Sequence, residues 1–412
     1  MDKLFTKLFS LCAVVAALVL VGCKDGMEPE PLPEPQKKEV SFNVEELEYD
    51  KVKVTVVPPS DDVVYYAFLH PDTDDFMNRA PEEIYVDIRY GDYFDTLLTS
   101  GTKTLTFEGL IGHSFYRVVY FAFDEVLGQK IGDIIYSERI VTPDAPELFD
   151  IEVSDIKGMS AKISITPPEN NLRYFFWLYT MDSYERYQHS NDYELLIYDY
   201  SFWVYIAELY GYKLNEVIKM DTVVGPVSLS TDDVLKIAEW DTEYLIWAYG
   251  INTDGTVTTP ITRKVFKTAA PKPSGMTFDV ADISLNWYEE TTPEGLLRGW
   301  EADATIIPSN KGEKYFATIT NKDWYDWYFS EYNDGRSDDE YIMNQILINT
   351  SKTSSQLPSM YKSGDFVYNC FKEREILLKP DREYAVFVFG MDENGATTSL
   401  NVFPFTTGSM PQ

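Results

Sequence analysis

The sequence predicts an all-β chain of three tandem β-sandwiches, each with a helical insertion. Alternating apolar strand patterns recur three times along the chain, at the start and at the end of each repeat. The length of 412 residues suits two to three domains. Hydrophobic residues make up 44% of the chain and aromatic residues 15%, which is enough apolar material for several packed cores.

Charge and composition limit the partners that the chain can have. It carries 67 Asp and Glu against 35 Lys and Arg, a formal net charge of −32. Such a field repels phosphate backbones, so no nucleic-acid binding is expected. Three Cys and three His are too few for zinc ribbons, iron–sulfur clusters or a disulfide framework. We therefore expect no bound metal and no cofactor.

Residues 1–22 have the pattern of a secretory signal peptide. Lys3 and Lys7 precede an apolar run from Leu8 to Val21, which is shorter than the roughly 20 residues of a membrane-spanning helix. The run ends in Leu20-Val21-Gly22-Cys23, which resembles the lipobox of bacterial lipoproteins. The resemblance implies that Cys23 is lipidated and becomes the mature N-terminus, attached to the membrane. The alternative is an ordinary signal peptide in which Cys23 is incidental.

A spacer follows at residues 23–39. Four prolines alternate with acidic residues there, which favours an extended, semi-rigid polyproline II segment. The charged residues after Cys23 resemble the export signals of surface lipoproteins in the Bacteroidetes. That resemblance implies a location on the bacterial outer membrane with the chain facing outward, and the inner leaflet remains the alternative.

Three segments start alike: an alternating apolar strand passes through a Pro-containing turn into a second strand rich in aromatic residues. These segments are 41–68, 149–178 and 278–317. Asp254-Gly255 and Asn394-Gly395 follow late strands of the second and third repeats and predict tight turns with positive φ. Pro-rich linkers separate the repeats. The predicted domains are 40–143, 147–269 and 274–408.

The segment from Leu378 to Tyr384, Leu-Lys-Pro-Asp-Arg-Glu-Tyr, looks like the Leu-x-Pro-x-x-x-Tyr corner of fibronectin type III domains. Tyr116 and Tyr244 keep the same six-residue offset from an upstream apolar residue. The resemblance implies fibronectin type III-like or immunoglobulin-like sandwiches in which each Tyr hydroxyl binds nearby backbone and fixes the corner. It indicates a fold and no particular activity.

Each repeat departs from that family by a helical insertion between its third and fifth strands, at 81–98, at about 190–220 and after a Ser337-x-x-Glu340 cap. Asn191 and Glu194 predict a cap for the second insertion. A helix at this place would cover or replace an edge strand of the sandwich. The third repeat has a further predicted insertion at about 284–300, between its first two strands.

The sequence offers little catalytic chemistry, and we expect no enzyme. His70, His113 and His189 each lie beside a predicted turn and are interpreted as surface residues. Cys370 has no His in its own repeat to activate it. Asp72, Asp74 and Asp75 could contribute to a calcium site, although solvated loop charge is the simpler interpretation. A pair of catalytic carboxylates would require a cleft that the sequence does not reveal.

Aromatic clusters are the best candidates for ligand contacts. Trp324, Tyr325, Trp327 and Tyr328 lie close together, and in a helix the first, third and fourth share one face. Trp287 and Trp300 in the other insertion could line the same region. Aromatic faces beside polar groups suit stacking on sugar rings. The alternative is that these rings form core, which is also the interpretation for Trp203 and Tyr205.

Together these observations predict a non-catalytic cell-surface lipoprotein that binds an extracellular ligand, a polysaccharide, through its C-terminal domain. That domain lies farthest from the anchor and has both extra insertions, and loop additions on a rigid scaffold are common binding sites. The alternative is a structural or adhesive surface protein that binds other proteins, with the sandwiches as spacers.

Overall fold

The computed structural model of the protein describes residues 39–91, 94–186, 191–293, 295–330, 339–351 and 353–411. Within these residues antiparallel sheets stack in pairs into three successive β-sandwiches, each with helices inserted between two of its strands. The predicted fold class is confirmed. The signal peptide, Cys23 and the Pro-rich part of the spacer lie outside the described residues, so those assignments stay predictions.

The first sandwich consists of β1 (Ser41–Leu47), β2 (Lys51–Val57), β3 (Val64–Pro71), α1 (Asp74–Met77), α2 (Pro81–Arg89), α3 (Phe94–Leu97), β4 (Leu98–Ser100), β5 (Lys103–Glu108), β6 (Phe115–Asp124), β7 (Gln129–Tyr136) and β8 (Ile140–Val141). The second consists of β9 (Asp150–Ser154), β10 (Lys162–Thr166), β11 (Arg173–Thr180), α4 (Met181–Arg186), α5 (Asp192–Tyr210), α6 (Leu214–Asp221), β12 (Val223–Val224), β13 (Val227–Ser230), α7 (Asp232–Leu235), β14 (Glu243–Gly250) and β15 (Thr262–Lys267).

The third sandwich consists of β16 (Phe278–Thr292), β17 (Gly295–Pro308), β18 (Lys314–Asn321), α8 (Lys322–Ser330), α9 (Asp339–Thr350), a 3₁₀ helix (Ser354–Ser359), β19 (Lys362–Ser363), β20 (Phe366–Asn369), α10 (Cys370–Arg374), β21 (Glu383–Met391) and β22 (Asn401–Thr406). The insertion predicted between its first two strands is not a separate element. Instead, β16 and β17 continue to pair, with one register shift between Val280 and Asp282, and form a long hairpin arm whose pairs run from Phe278–Pro308 to Thr292–Gly295.

One sheet plan is repeated three times in the described part of the chain. The smaller sheets have the strand orders β1-β2-β5, β9-β10-β13 and β16-β17-β20. The larger sheets have the orders β4-β3-β6-β7, with β8 also paired to β6, then β12-β11-β14-β15 and β19-β18-β21-β22. In each repeat the insertion follows the third strand of the repeat, and the chain then returns to the larger sheet as a short edge strand. The insertions therefore do not replace this edge strand.

The central strands of the larger sheets are buried on both faces. In β14, Ile246 and Ala248 face the space between the two sheets, whereas Leu245 and Trp247 face outward, because side chains alternate along a strand. The helices of the insertion cover that outer face. Burial on both faces explains why these strands are nearly continuous apolar runs in the sequence.

The predicted tyrosine corners are present in all three sandwiches. The hydroxyl of Tyr116 accepts a hydrogen bond from the backbone N–H of Ile111 at 2.9 Å. In the same way, the backbone N–H of Glu239 donates to the hydroxyl of Tyr244 at 2.7 Å, and the backbone N–H of Lys379 donates to the hydroxyl of Tyr384 at 2.9 Å. Each spans five residues, so the same corner geometry recurs three times.

The second and third sandwiches are joined by a shared hydrophobic cluster. Met159, Ile237 and Trp240 of the second pack with Met343 of α9 and Phe389 of β21. Three hydrogen bonds between the two sandwiches flank this cluster. Gly158 N donates to Asn394 Oδ1 at 3.1 Å, Asn344 Nδ2 donates to Ala238 O at 3.2 Å, and Ser354 Oγ donates to Asp232 Oδ2 at 2.7 Å. A joint of this kind fixes the third sandwich against the second.

Glycines allow the close packing at this joint. Gly255 and Gly395 both have positive φ, at 91° and 142°, which confirms the predicted turns. A Cβ at Gly395 would lie 2.6 Å from the ring of Trp240. A Cβ at Gly158 would lie 1.6 Å from the carbonyl oxygen of Asn394. Both glycines therefore allow the two sandwiches to approach each other closely.

Candidate functional site: aromatic surfaces of the helical insertions

Helix α5 is apolar on nearly all sides. It begins at Asn191, whose side chain accepts a hydrogen bond from the N–H of Glu194 as predicted, and ends at Gly211 with φ 70°. Leu195, Leu196 and Trp203 are buried against the larger sheet of the second sandwich. The predicted cap of the third insertion rests on Ser337, which lies outside the described residues.

Buried polar bonds fix the rotation of α5. The indole N–H of Trp203 donates to Asp221 at 2.7 Å, and Asp199 accepts from the hydroxyl of Tyr249 at 2.9 Å and from Trp247 Nε1 at 3.3 Å. Burial raises the pKa of Asp199 to about 7. Because each bond joins a particular helix position to the sheet or to α6, these bonds determine which side of α5 faces outward.

The outward side of α5 has exposed apolar side chains next to the exposed polar residues Ser201 and Glu208. Phe202 is 50% exposed, Tyr205 58% and Leu209 56%. We call this surface the α5 face, and it consists of Ile197, Tyr198, Phe202, Tyr205 and Leu209. Tyr210 and Tyr212 add to the exposed apolar surface at the C-terminal end of the helix, with ring centroids 6.2 Å apart.

The sequence interpretation of this helix was half right. Trp203 is buried, as predicted, whereas the prediction that Tyr205 is core is wrong. Two residues advance an α-helix by about 200°, so Trp203 and Tyr205 point to opposite sides. The sequence does contain a signal for the exposed row, because four of its members are spaced by four, three and four residues. In a helix that lacks a polar face, this spacing does not show which side is open.

The predicted Trp cluster of the third sandwich lies on α8 and is largely engaged. Trp324 and Tyr325 are partly buried against the cluster on the outer face of β18 and β21, with the Tyr325 and Phe387 rings 5.1 Å apart. Trp327 is 38% exposed. The side chain of Tyr328 lies outside the described part of the chain.

Trp287 and Trp300 form a cross-strand pair on the hairpin arm. Their ring centroids are 5.4 Å apart in an edge-to-face arrangement. Trp300 packs on the inner core of the sandwich, and its Nε1 donates to the carbonyl of Gly408 at 2.9 Å. Trp287 is half-buried and its Nε1 donates to Glu289 at 3.3 Å.

The two aromatic groups of the third sandwich therefore pack against different clusters. Trp324 contacts the cluster outside the larger sheet, whereas Trp300 contacts the cluster between the two sheets. Alternate residues of β21 separate these clusters. The structure does not bring the two groups into a single hydrophobic cluster.

His70 is not a surface residue, so that interpretation is wrong for it. Its Nε2 is 2.9 Å from the hydroxyl of Tyr66, and its ring stacks on Phe76 at 5.4 Å. Burial lowers the pKa of His70 to about 4, so the ring is neutral near pH 7. It lines a cavity of about 610 Å³ beneath α2 and α3. His113 is exposed and lies 2.8 Å from Asp144, and His189 lies outside the described residues.

The remaining reactive side chains have structural partners. Cys370 is buried, its Sγ accepts from the N–H of Ala302 at 3.2 Å, and burial raises the pKa of its thiol. Asp72 accepts from Arg117 at 2.9 Å and from Arg139 at 2.5 Å. No group of three or more His, Cys, Asp and Glu residues in the described ranges could hold a metal ion.

Comparisons with known proteins give limited information. No family model matches the sequence, and no curated protein matches it. Among solved structures, the FN1–FN3 domains of chicken CNTN1 share 12% identity with a TM-score of 0.21, covering 89% of this chain and 97% of that one. The central fibronectin-III array of RIM-binding protein shares 12% identity with a TM-score of 0.15, covering 91% and 99%.

Structural similarity with TM-scores this low supports no conclusion about the fold or function of this chain. The fibronectin type III-like fold follows instead from the repeated sheet plan and the three tyrosine corners. A search of the described residues for membrane-spanning helices found none that is both long and apolar enough.

Proposed function

We propose that the protein is a non-catalytic, lipid-anchored binding protein on the outer surface of a bacterial outer membrane, of the type found in the Bacteroidetes. The lipobox-like residues ending in Cys23 and the Pro/Glu-rich spacer support the anchor. The hydrophobic joint between the second and third sandwiches supports a rigid carrier that holds the third sandwich in a fixed position.

Partly open aromatic rings on elements added to the third sandwich carry the proposal of a polysaccharide ligand. Trp327 lies exposed on α8 beside Asp326, and Trp287 lies on the arm beside Glu289. Indole faces stack on the C–H bonds of sugar rings, and carboxylates accept hydrogen bonds from sugar hydroxyls. Catalysis is not proposed, because Cys370 and Asp199 are engaged in bonds within the core.

Affinity electrophoresis tests the ligand. The fragment from Gln36 to Gln412, which contains every described residue, is run through gels that contain plant, host or microbial polysaccharides. We expect one glycan to retard it, and Trp327→Ala with Trp287→Ala to abolish the retardation. Tyr90→Ala, at an exposed ring of the first sandwich, is the control and should leave it unchanged. Unretarded migration in every gel would overturn the polysaccharide proposal.

The anchor has its own test. Cells that produce the full chain are fed a labelled fatty acid, and we expect the label to be incorporated into the protein and lost in Cys23→Ser. Labelling that persists in Cys23→Ser would show that Cys23 is not the lipidated residue. Protease treatment of whole cells then distinguishes outward from inward orientation.

A protein-binding role is the second candidate, and the α5 face favours it. This face combines Phe202 and Tyr205 with the aliphatic side chains of Ile197 and Leu209. Large apolar patches of this kind on soluble proteins mark protein interaction sites. The α5 face belongs to the second sandwich, so electrophoresis with polysaccharides does not test whether this face binds a protein.

A further inference from the structure

We propose that the cavity beneath α2 and α3 of the first sandwich binds a small, uncharged aromatic molecule that carries a hydroxyl group. The cavity has a volume of about 610 Å³, which is within the usual range for small-molecule sites. Its floor is the outer face of β3, where Tyr66, Phe68 and His70 lie on one side because side chains alternate along a strand. Helices α1, α2 and α3 form the walls, together with Tyr193 of the second sandwich. The site does not involve the third sandwich, so the proposal is independent of the polysaccharide ligand.

The equivalent space is occupied by side chains in the second sandwich and is smaller in the third. In the second, Trp203 packs edge-on against Phe175, which has the same strand position as Tyr66, with ring centroids 5.1 Å apart. In the third, the cavity beside Thr318 has a volume of about 200 Å³. Helix α2 has nine residues, all of them described, and buries only Ile84. The first insertion therefore leaves open a space that larger apolar side chains take up elsewhere.

The rings that line the cavity suit an aromatic ligand. Phe94 stacks on Tyr66 with ring centroids 5.8 Å apart, and Phe76 stacks on His70 at 5.4 Å. Phe68 meets the His70 ring edge-on at 5.6 Å. Such rings present both faces and edges, and a bound aromatic ring gains offset-stacked or edge-to-face contacts with them. An aliphatic ligand would not gain these contacts.

His70 provides a hydrogen-bonding group for a hydroxyl. Its Nε2 is 2.9 Å from the hydroxyl of Tyr66, and its Nδ1 has no hydrogen-bond partner among the described residues. Three buried side-chain atoms of the described chain lack a partner, and Nδ1 is not one of them, so Nδ1 is open to solvent. A neutral imidazole has one N–H, and Nδ1 therefore donates or accepts according to the tautomer. A hydroxyl group can accept in the first case and donate in the second, so it fits both.

The charges around the cavity favour an uncharged ligand. Arg79 and Asp87 both line the cavity and form an ion pair with each other. Since His70 is neutral near pH 7, the lining carries no net charge. A charged ligand would therefore lose hydration without gaining an opposite charge. An anion would in addition be repelled by the net charge of −32 on the chain.

Isothermal titration calorimetry of the Gln36–Gln412 fragment with 2-naphthol at pH 7 tests the site. This probe has two fused aromatic rings and a hydroxyl, and it is uncharged at this pH. We expect one probe to bind per chain, and naphthalene-2-carboxylate to bind at least about tenfold more weakly because of its charge. Thr96→Trp, at an exposed residue of the lining, should fill the cavity and abolish binding. Val86→Trp, at an exposed position of α2 outside the lining, is the matched control and should leave binding unchanged.

His70→Phe tests the hydroxyl contact, because it keeps a ring at this position and removes Nδ1. We expect 2-naphthol to bind about three- to tenfold more weakly, the change expected for one hydrogen bond, and naphthalene to bind as before. Far-UV circular dichroism checks that every variant is folded. An absence of 2-naphthol binding would overturn the proposal, and so would binding that survives Thr96→Trp. An equal loss for naphthalene, or no loss for 2-naphthol, would overturn the assignment of the hydroxyl to His70.

Discussion

Helices α5 and α9 belong to equivalent insertions, and both cover the outer face of the larger sheet in their sandwich. In both helices apolar residues are spread around most of the circumference. In α9 the buried residues extend from Ile342 through Asn344 to Leu347 and span about 200° of the helix, because the second sandwich packs on its far side. The first turn of α5 bonds to Ser114 of the first sandwich, and beyond that turn the far side of the helix is exposed and carries the α5 face.

The difference teaches that an apolar helix predicts a second covering layer without showing where that layer comes from. For α9 the layer is Trp240 and its neighbours in the preceding sandwich, more than 100 residues earlier in the chain. For α5 the cover is the sheet and α6, and the outward side of the helix stays exposed.

The largest expected loss of stability follows from a substitution at the joint that covers α9. Trp240→Ala removes a buried indole from the joint and should destabilise the third sandwich by about 3–5 kcal/mol, the usual cost of truncating a large buried aromatic residue. Urea unfolding followed by circular dichroism measures the change. Trp240→Phe, which keeps most of the packing, should lose clearly less. Equal losses for the two variants would mean that the indole does not hold α9 in place.

The next effect concerns the buried attachment of α5. Burial raises the pKa of Asp199 to about 7, whereas a solvated Asp titrates near about 4. Between these pH values the folded chain holds a proton that the unfolded chain has released. This contribution to stability is therefore complete below pH ~4 and is lost as pH rises through ~7, by at most about 4 kcal/mol. Near Asp199 lie Asp221, Tyr249 and Trp247.

Asp199→Asn tests this pH dependence, because the amide oxygen can still accept from Tyr249 and Trp247 but does not titrate. The unfolding free energy of both proteins is measured at pH 5 and pH 8. We expect the stability of the wild type, relative to the variant, to be lower at pH 8 than at pH 5. A difference that is the same at both pH values would contradict the raised pKa.

Features set by local chemistry were predictable from the sequence. The corner tyrosines, the cap at Asn191 and the turn glycines each depend on a few neighbouring residues, and the structure confirms all of them. The surroundings of single side chains were not predictable, because they depend on distant packing. Tyr205 and His70 were misjudged for this reason, since a helix rotation and a helical cover decide their exposure.

The smallest expected loss of stability follows from substitutions on the α5 face. Phe202→Ser or Tyr205→Ser should lower the stability of the chain by about 1 kcal/mol, because about half of each ring is already in water. Leu196→Ala, on the buried side of the same helix, is the matched control and should cost about 2–5 kcal/mol. Urea unfolding at low protein concentration measures all three variants. A loss above about 2 kcal/mol at Phe202 or Tyr205 would mean that the α5 face is covered within the chain. The contrast with α9 would then disappear, since both helices would be covered within a single chain.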